Sequence, residues 1–212
     1  QPASDPNKEV NWTNSLTLPS DPDQVVLADS RRKIYRLRVG DQIRELASTD
    51  LEFDLPDQIA GVGNTVVGAT AGPAADFIVG FDFVSLKPKF KTLLDGRVVW
   101  GPVSVGDYCL YQTDDSQLRV IDAEGKSLFQ ITLPAGSPIG KPIMSDGSIV
   151  LVGKVGWIMV FDPETGQRTK AVYACSWHHQ PMDIIDLEHL DERGAHHRMQ
   201  HTLTTQWLKY RI

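Results

Sequence analysis

Ile149-Val150-Leu151-Val152-Gly153, followed by Trp157-Ile158-Met159-Val160-Phe161-Asp162 and then Gly166, is the stretch from which the fold can be read. Two short runs rich in β-branched and aromatic residues, bounded by Gly and Asp, have the composition of strands joined by tight turns. The same grammar stands upstream in Tyr108-Cys109-Leu110-Tyr111-Gln112-Thr113, then Leu118-Arg119-Val120-Ile121-Asp122, then Gly125. Gly101-Pro102-Val103 precedes that copy as Lys141-Pro142-Ile143 precedes the other. The offsets are 40 from Pro102 to Pro142, 40 from Asp122 to Asp162, and 41 from Gly125 to Gly166. Two weaker copies lie earlier. One is Thr65-Val66-Val67-Gly68-Ala69-Thr70 with Phe77-Ile78-Val79-Gly80-Phe81-Asp82, the other Gln24 to Asp29 with Lys33 to Leu37.

Asp114-Asp115-Ser116, Asp146-Gly147-Ser148 and Ser30-Arg31-Arg32 have the residues of hairpin tips. The runs are too short for useful helices. Four units of about 40 residues with several strands each predict an all-β chain built as about four blades of a β-propeller, a partial ring or a fragment of a larger one. A small twisted sheet must stack on its neighbours to bury its faces. Ile149 to Val152 and Trp157 to Phe161, nearly continuous in apolar character, are expected to be buried on both sides. At the two ends of such a row, Val25, Leu27, Ile158 and Val160 are expected to lack cover.

On these residues the repeat resembles the PQQ-like, or quinoprotein-like, propeller family. Phe161-Asp162-Pro163-Glu164-Thr165-Gly166 matches its Asp-x-x-Thr-Gly element, and Val120 to Phe129 matches it with one residue fewer. Phe129 stands where the family often has Trp. Val99-Trp100-Gly101-Pro102 looks like the last strand of one blade running into the next. No Trp follows Gly166, and the two early units lack the Gly element. The match is good over residues 60–172 and weak over 24–50. The resemblance implies either of two branches. One holds quinone-dependent dehydrogenases, which bind PQQ and Ca²⁺ in an eight-bladed ring. The other holds non-enzymatic bacterial propellers, including the outer-membrane barrel-assembly lipoprotein, which use the blades to dock proteins. The second is the closer, so the resemblance implies a protein partner, no cofactor and an extracytoplasmic site, periplasmic or in the cell envelope. The alternative is a fragment of a PQQ-dependent dehydrogenase whose active-site blades lie elsewhere.

Composition narrows the remaining classes. Lys+Arg 21 against Asp+Glu 27 gives a net charge of −6 in 212 residues, which argues against a general nucleic-acid binder. No apolar run has the roughly 18 to 20 residues of a membrane-spanning helix. Cys109 and Cys175 are too few for a disulfide framework and lack metal-site spacing. A chain opening on Gln1 is expected to be a processed product or a piece of something longer. Residues 1–23, with four Pro, read as a leading arm; 24–172 as the blades; 173–212 as an irregular tail. All six histidines, His178, His179, His189, His196, His197 and His201, lie in that tail. Pro181 to Arg193 fits a short helix ended by Gly194, and Leu208, Tyr210 and Ile212 fit a strand.

No residue is assigned a catalytic, cofactor or metal role. Asp114 and Asp115 form the only adjacent acidic pair within a clear blade, and turn chemistry explains them. His197 and His201 would share a helix face, with Glu188 and Asp191 upstream, but their spacing matches no zinc pattern. Asn, which a PQQ cation site would need, is sparse: Asn7, Asn11, Asn14 and Asn64. Asn11-Trp12-Thr13 fits a glycosylation acceptor, a motif short enough to arise by chance. Arg31, Arg32, Lys33, Arg36, Arg38 and Arg44 form the one basic cluster and read as a charged outer blade edge. Trp100, Trp157 and Phe129 recur with the repeat, as packing residues do. The expectation is a non-enzymatic scaffold that binds a protein and is completed by further blades or another chain.

Overall fold

The computed structural model describes residues 10–18, 20–55, 58–175 and 183–186, the strand positions after 171 by backbone alone. Its strands run in chain order as four antiparallel meanders. The first sheet holds β1 (Leu16–Leu18), β2 (Asp21–Asp29), β3 (Lys33–Arg38) and β4 (Arg44–Asp50). The second holds β5 (Ile59–Val62), β6 (Thr65–Thr70), β7 (Phe77–Asp82) and β8 (Pro88–Leu93). The third holds β9 (Val98–Val105), β10 (Tyr108–Thr113), β11 (Gln117–Ile121) and β12 (Ser127–Thr132). The fourth holds β13 (Ile143–Ser145), β14 (Ser148–Val152), β15 (Trp157–Phe161), β16 (Arg168–Cys175) and, as a fifth strand, β17 (Asp183–Asp186). Among the described residues there is no helix.

Local chemistry sets the turns. Asp146 and Gly147 both have positive φ (49° and 77°), the conformation a two-residue hairpin needs. After the third strand of three sheets the closing Asp ties its own turn. Asp162 Oδ1 accepts from Thr165 N (2.7 Å) and Glu164 N (3.0 Å), and Asp82 Oδ1 accepts from Ser85 N (2.7 Å). Asp122 Oδ1 accepts from Lys126 N (2.9 Å). This is the physical content of the Asp-x-x-Thr-Gly element: a side-chain acceptor that replaces a ladder partner where the chain reverses.

The sheets stack face to face with three cores between them. Val26, Ala28 and Ile34 of the first sheet meet Ile59, Val66, Val79 and Phe81 of the second. Val67 and Ile78 meet Cys109, Tyr111 and Ile121 of the third. Leu110, Leu118 and Val120 meet Ile149, Leu151, Trp157, Met159 and Phe161 of the fourth. Neighbours such as Val66 and Val67 serve opposite cores, as strand alternation requires.

Several expectations change. Residues 1–23 include β1 and the start of β2. Thr13 Oγ1 accepts from Ala28 N (2.9 Å), and Asn14 brackets Ile59, accepting from its N–H (2.8 Å) and donating to its carbonyl (3.0 Å). Those side-chain bonds are invisible to a Pro count. Val99 to Pro102 does not run from one blade into the next. It lies within the single strand β9, where Gly101 (φ 83°) breaks the register opposite Leu110 and Gln112. Ile149 to Val152 and Trp157 to Phe161 are fully buried on one side only, because no described sheet covers the other. Three residues of the basic cluster, Lys33, Arg36 and Arg38, lie on β3, inside its sheet, Arg31 and Arg32 lie in the turn before it, and only Arg44 is on the outer strand. In place of a helix at 183–186 the chain pairs Asp183–Asp186 antiparallel with β16, whose edge is open to it. The rest of that helix, the C-terminal strand and all six histidines lie outside the described residues.

Candidate interaction faces

A bulge within the pairing of the third and fourth strands sets a common register through all four sheets. It follows Arg36, Gly80, Val120 and Val160, paired with Ala47, Phe90, Phe129 and Lys170. In that register Val26, Val67, Leu110 and Val150 are equivalent, as are Ile34, Ile78, Leu118 and Ile158.

At the rim one contact repeats. Phe90 lies against Gly125 of the next sheet, where a Cβ would come within 2.6 Å of its ring, and Phe129 lies likewise on Gly166. Both glycines have positive φ, 78° and 70°. A side chain there meets backbone strain and an occupied space together. Between the first two sheets the sizes at the equivalent positions are inverted: Ala47 stands where Phe90 and Phe129 do, and Leu86, at φ 55° and fully buried in the same core, stands where the glycines do. Counting back from the outer strand, the first sheet puts Ile43 at the position of Leu86, Gly125 and Gly166. Ile43 is 72% exposed.

The two terminal faces repeat the inner ones without their cover. On the fourth sheet Val150, Ile158 and Val160 are half-buried, Val152 is exposed, and Ile143, paired with Val150, is 59% exposed. Their equivalents Leu110, Leu118 and Val120 are fully buried. On the first sheet Val25, Leu27, Tyr35 and Leu37 are half-buried, whereas Val66, Phe81, Ile149 and Phe161 at matching positions are buried. Trp12 leans on Tyr35 with ring centroids 5.8 Å apart. Burial, with a 2.8 Å bond donated to Asp29 Oδ2, pushes the Tyr35 hydroxyl up to about 12. Of these face residues Val25, Leu27, Ile158 and Val160 are legible in the sequence. Val150, Tyr35, Leu37, Ile43 and Lys170 emerge once the register is known, and the 40-residue offset from Leu110 to Val150 is the signal that finds them.

The polar groups of the blades are engaged in structure. Burial raises the Asp115 carboxyl, but bonds from the Thr113 hydroxyl, Gln117 N and Arg119 outweigh it and hold the group below its ordinary range. Asp114 Oδ1 accepts from Arg97 N (3.2 Å) across the adjoining turn. Burial pushes the Cys109 thiol well above its usual value, which makes it an inert core position. Arg32 pairs with Asp54 (2.9 Å) and Arg38 with Asp21 (3.0 Å), so the basic cluster is partly neutralised in place. A cavity of about 320 Å³ lies between the second and third sheets, beside Thr70, Asp76, Trp100 and Pro102. Its carboxylate is already bound: Asp76 accepts from Arg97 Nη1 (2.7 Å) and Val98 N (2.8 Å). Among the described residues no three His, Cys, Asp or Glu side chains are grouped to hold a metal ion. No helix there is long and apolar enough to cross a membrane.

No protein-family model matches the chain, and no curated protein matches it significantly. Solved structures do. BamB from Moraxella catarrhalis superposes with a TM-score of 0.56 at 17% identity, over 77% of this chain and 50% of that one. Apo AztD from Citrobacter koseri gives 0.55 at 18%, over 82% and 48%. Raptor from Chaetomium thermophilum gives 0.58 at 11%, over 81% and 17%. The fold is a β-propeller. The propeller described here has four blades, the four sheets above, and spans about half the length of the BamB and AztD chains. Identities this low establish the fold and nothing finer.

Proposed function

We propose that this propeller is a non-enzymatic protein-binding scaffold or assembly platform of the cell envelope. One observation carries the reading: apolar positions that are buried at every inner junction are half-exposed on the first and fourth blades. Exposed apolar surface of this kind marks an interface. The likeness in fold to BamB and AztD, and the resemblance of the repeat to the branch containing the barrel-assembly lipoprotein, support a docking role outside the cytoplasm. The blades' Asp residues support it too, since Asp82, Asp122 and Asp162 are tied into turns and Asp76 to Arg97.

The test is photocrosslinking in native cells with the probe at Val152 or Ile158. A discrete protein adduct at these positions, absent with the probe at exposed Glu124, is the expected result. No adduct at either face position sinks the proposal. The dehydrogenase alternative makes its own demand: PQQ and Ca²⁺ added to the purified protein should give dye-linked oxidation of alcohols or sugars. We expect none.

A further inference from the structure

We propose that the junction of blades one and two holds a small-molecule site whose ligand is an uncharged single-ring aromatic with one hydroxyl, bonded to Thr70. This site is independent of the scaffold reading.

The repeat marks the place. Asp29, Thr70, Thr113 and Gly153 close the second strand of their sheets at equivalent positions in the register. In three blades a side chain of the blade's own third strand serves that position. Tyr35 donates to Asp29 Oδ2 (2.8 Å), and Arg119 donates to Thr113 Oγ1 and to Asp115 Oδ2 (2.9 Å). The Trp157 ring lies over Gly153, where a Cβ would strike it. In the second blade Val79 stands where Tyr35 and Arg119 do, with no polar atom to offer. Thr70 is 4% exposed and its Oγ1 has no hydrogen-bond partner among the described residues.

Thr70 shares a face with Val66, by strand alternation the face toward blade one. A cavity of about 210 Å³ lies there, against Leu51, Phe53, Thr70, Val79, Phe81 and Lys91 among others. A buried polar atom without a partner calls for an occupant. An ordered water needs about two to four polar partners. Thr70 Oγ1 is the only buried side-chain polar atom left unpaired in this lining.

The walls set the chemistry of the ligand. An apolar cavity of roughly 150 Å³ suffices for benzene, so this one accepts a single substituted ring. Leu51, Phe53, Val79 and Phe81 supply apolar walls, and a ring offers the area to cover them. The charged groups of the lining, Asp50, Glu52 and Lys91, are all exposed, on the solvent side. Lys91 Nζ is also engaged already, 2.5 Å from Glu52 Oε2 and over the stacked rings of Phe53 (4.5 Å) and Phe77 (4.6 Å). The inner end therefore offers one neutral hydroxyl, which both donates and accepts, and a ligand hydroxyl answers it.

Fluorine NMR titration of the purified 212-residue chain tests this, with para-fluorophenol as probe and fluorobenzene as the control without a hydroxyl. The expected result is saturable binding of para-fluorophenol, half complete at about 1 mM or below. Thr70→Val should weaken para-fluorophenol about tenfold and leave fluorobenzene unchanged, because only the phenol then buries a hydroxyl without a partner. Val79→Tyr copies the arrangement of blade one, filling the cavity and bonding Thr70 from within. It should abolish binding of both probes with unchanged far-UV circular dichroism. If that variant misfolds, the two probes on Thr70→Val still decide. Shifts that stay linear in ligand concentration would overturn the proposal. So would equal effects of Thr70→Val on the two probes, or a folded Val79→Tyr chain that still binds.

Discussion

A glycine and a phenylalanine at two of the three inner junctions show how one residue's backbone freedom becomes a packing rule. Gly125 has φ 78° and lies under the Phe90 ring. Gly125→Ala should cost about 2–4 kcal/mol, combining left-handed backbone strain of roughly 1 kcal/mol with overpacking. With Phe90→Ala already present the same change should cost only about 1 kcal/mol, because the ring it strikes is gone. Urea denaturation of the four proteins in this cycle reads the coupling, and equal costs in both backgrounds would refute the contact. The turn aspartates give a pH signature. Hydrogen bonds from Thr165 backbone and hydroxyl hold the Asp162 carboxyl below its ordinary 3.8, and Ser85 does the same for Asp82. A depressed folded value means the contribution is fully present above about 3.8 and is lost as pH falls through the folded values. The urea midpoint should therefore be insensitive to these groups near neutrality and drop below about pH 4. Asp162→Asn should shallow that acid slope, and an unchanged slope would contradict the assignment.

Strands and their leading segments bind one another through more than their ladders. Asn14 precedes β1 yet is bonded to both polar atoms of the Ile59 backbone, so it fastens blade one to the first strand of blade two. Asn14→Ala leaves that N–H and carbonyl half-buried and unpaired, and should destabilise by about 1–3 kcal/mol. Thermal melting of the variant checks this, and a shift under half a degree would show that the bracket contributes nothing. The same segment shows why the expected arm was not legible as structure. Four prolines signal an irregular chain, whereas the partner of Asn14 lies 45 residues away and belongs to another sheet. Lys33–Arg38 teaches the converse. Its charges suggest an edge, but Ile34 packs into the first core and β4 covers the strand, with Arg32 and Arg38 neutralised by acids from elsewhere in the chain.

Among the described residues only blades two and three are covered on both faces, and this orders the stability of the sheets. In a row of sheets, each touching only its neighbours, stability is nearly a sum of blade and junction contributions. The end blades should open first. Hydrogen exchange should therefore be slowest in β6, β7, β10 and β11 and faster in β2, β3, β14 and β15. Uniform exchange across the four blades would mean the junctions do not govern opening.

The repeat, its hairpin tips and the all-β class follow from the sequence alone, since strand alternation and turn chemistry act between residues close in the chain. Asp162 to Gly166 specifies its turn through bonds spanning a few residues, so local reading suffices there. Which face of Trp157 to Phe161 is buried could not be read in the same way, because Ile158 and Val160 are as apolar as their neighbours. Tertiary structure decides it through the presence of a third sheet on one side and of no described sheet on the other. The inverted pair Ala47 and Leu86, and the exposed Ile43 at the equivalent place, likewise acquire meaning only when sheets far apart in sequence are stacked in register. Burial is a property of what lies across the gap, and no local pattern encodes the far side.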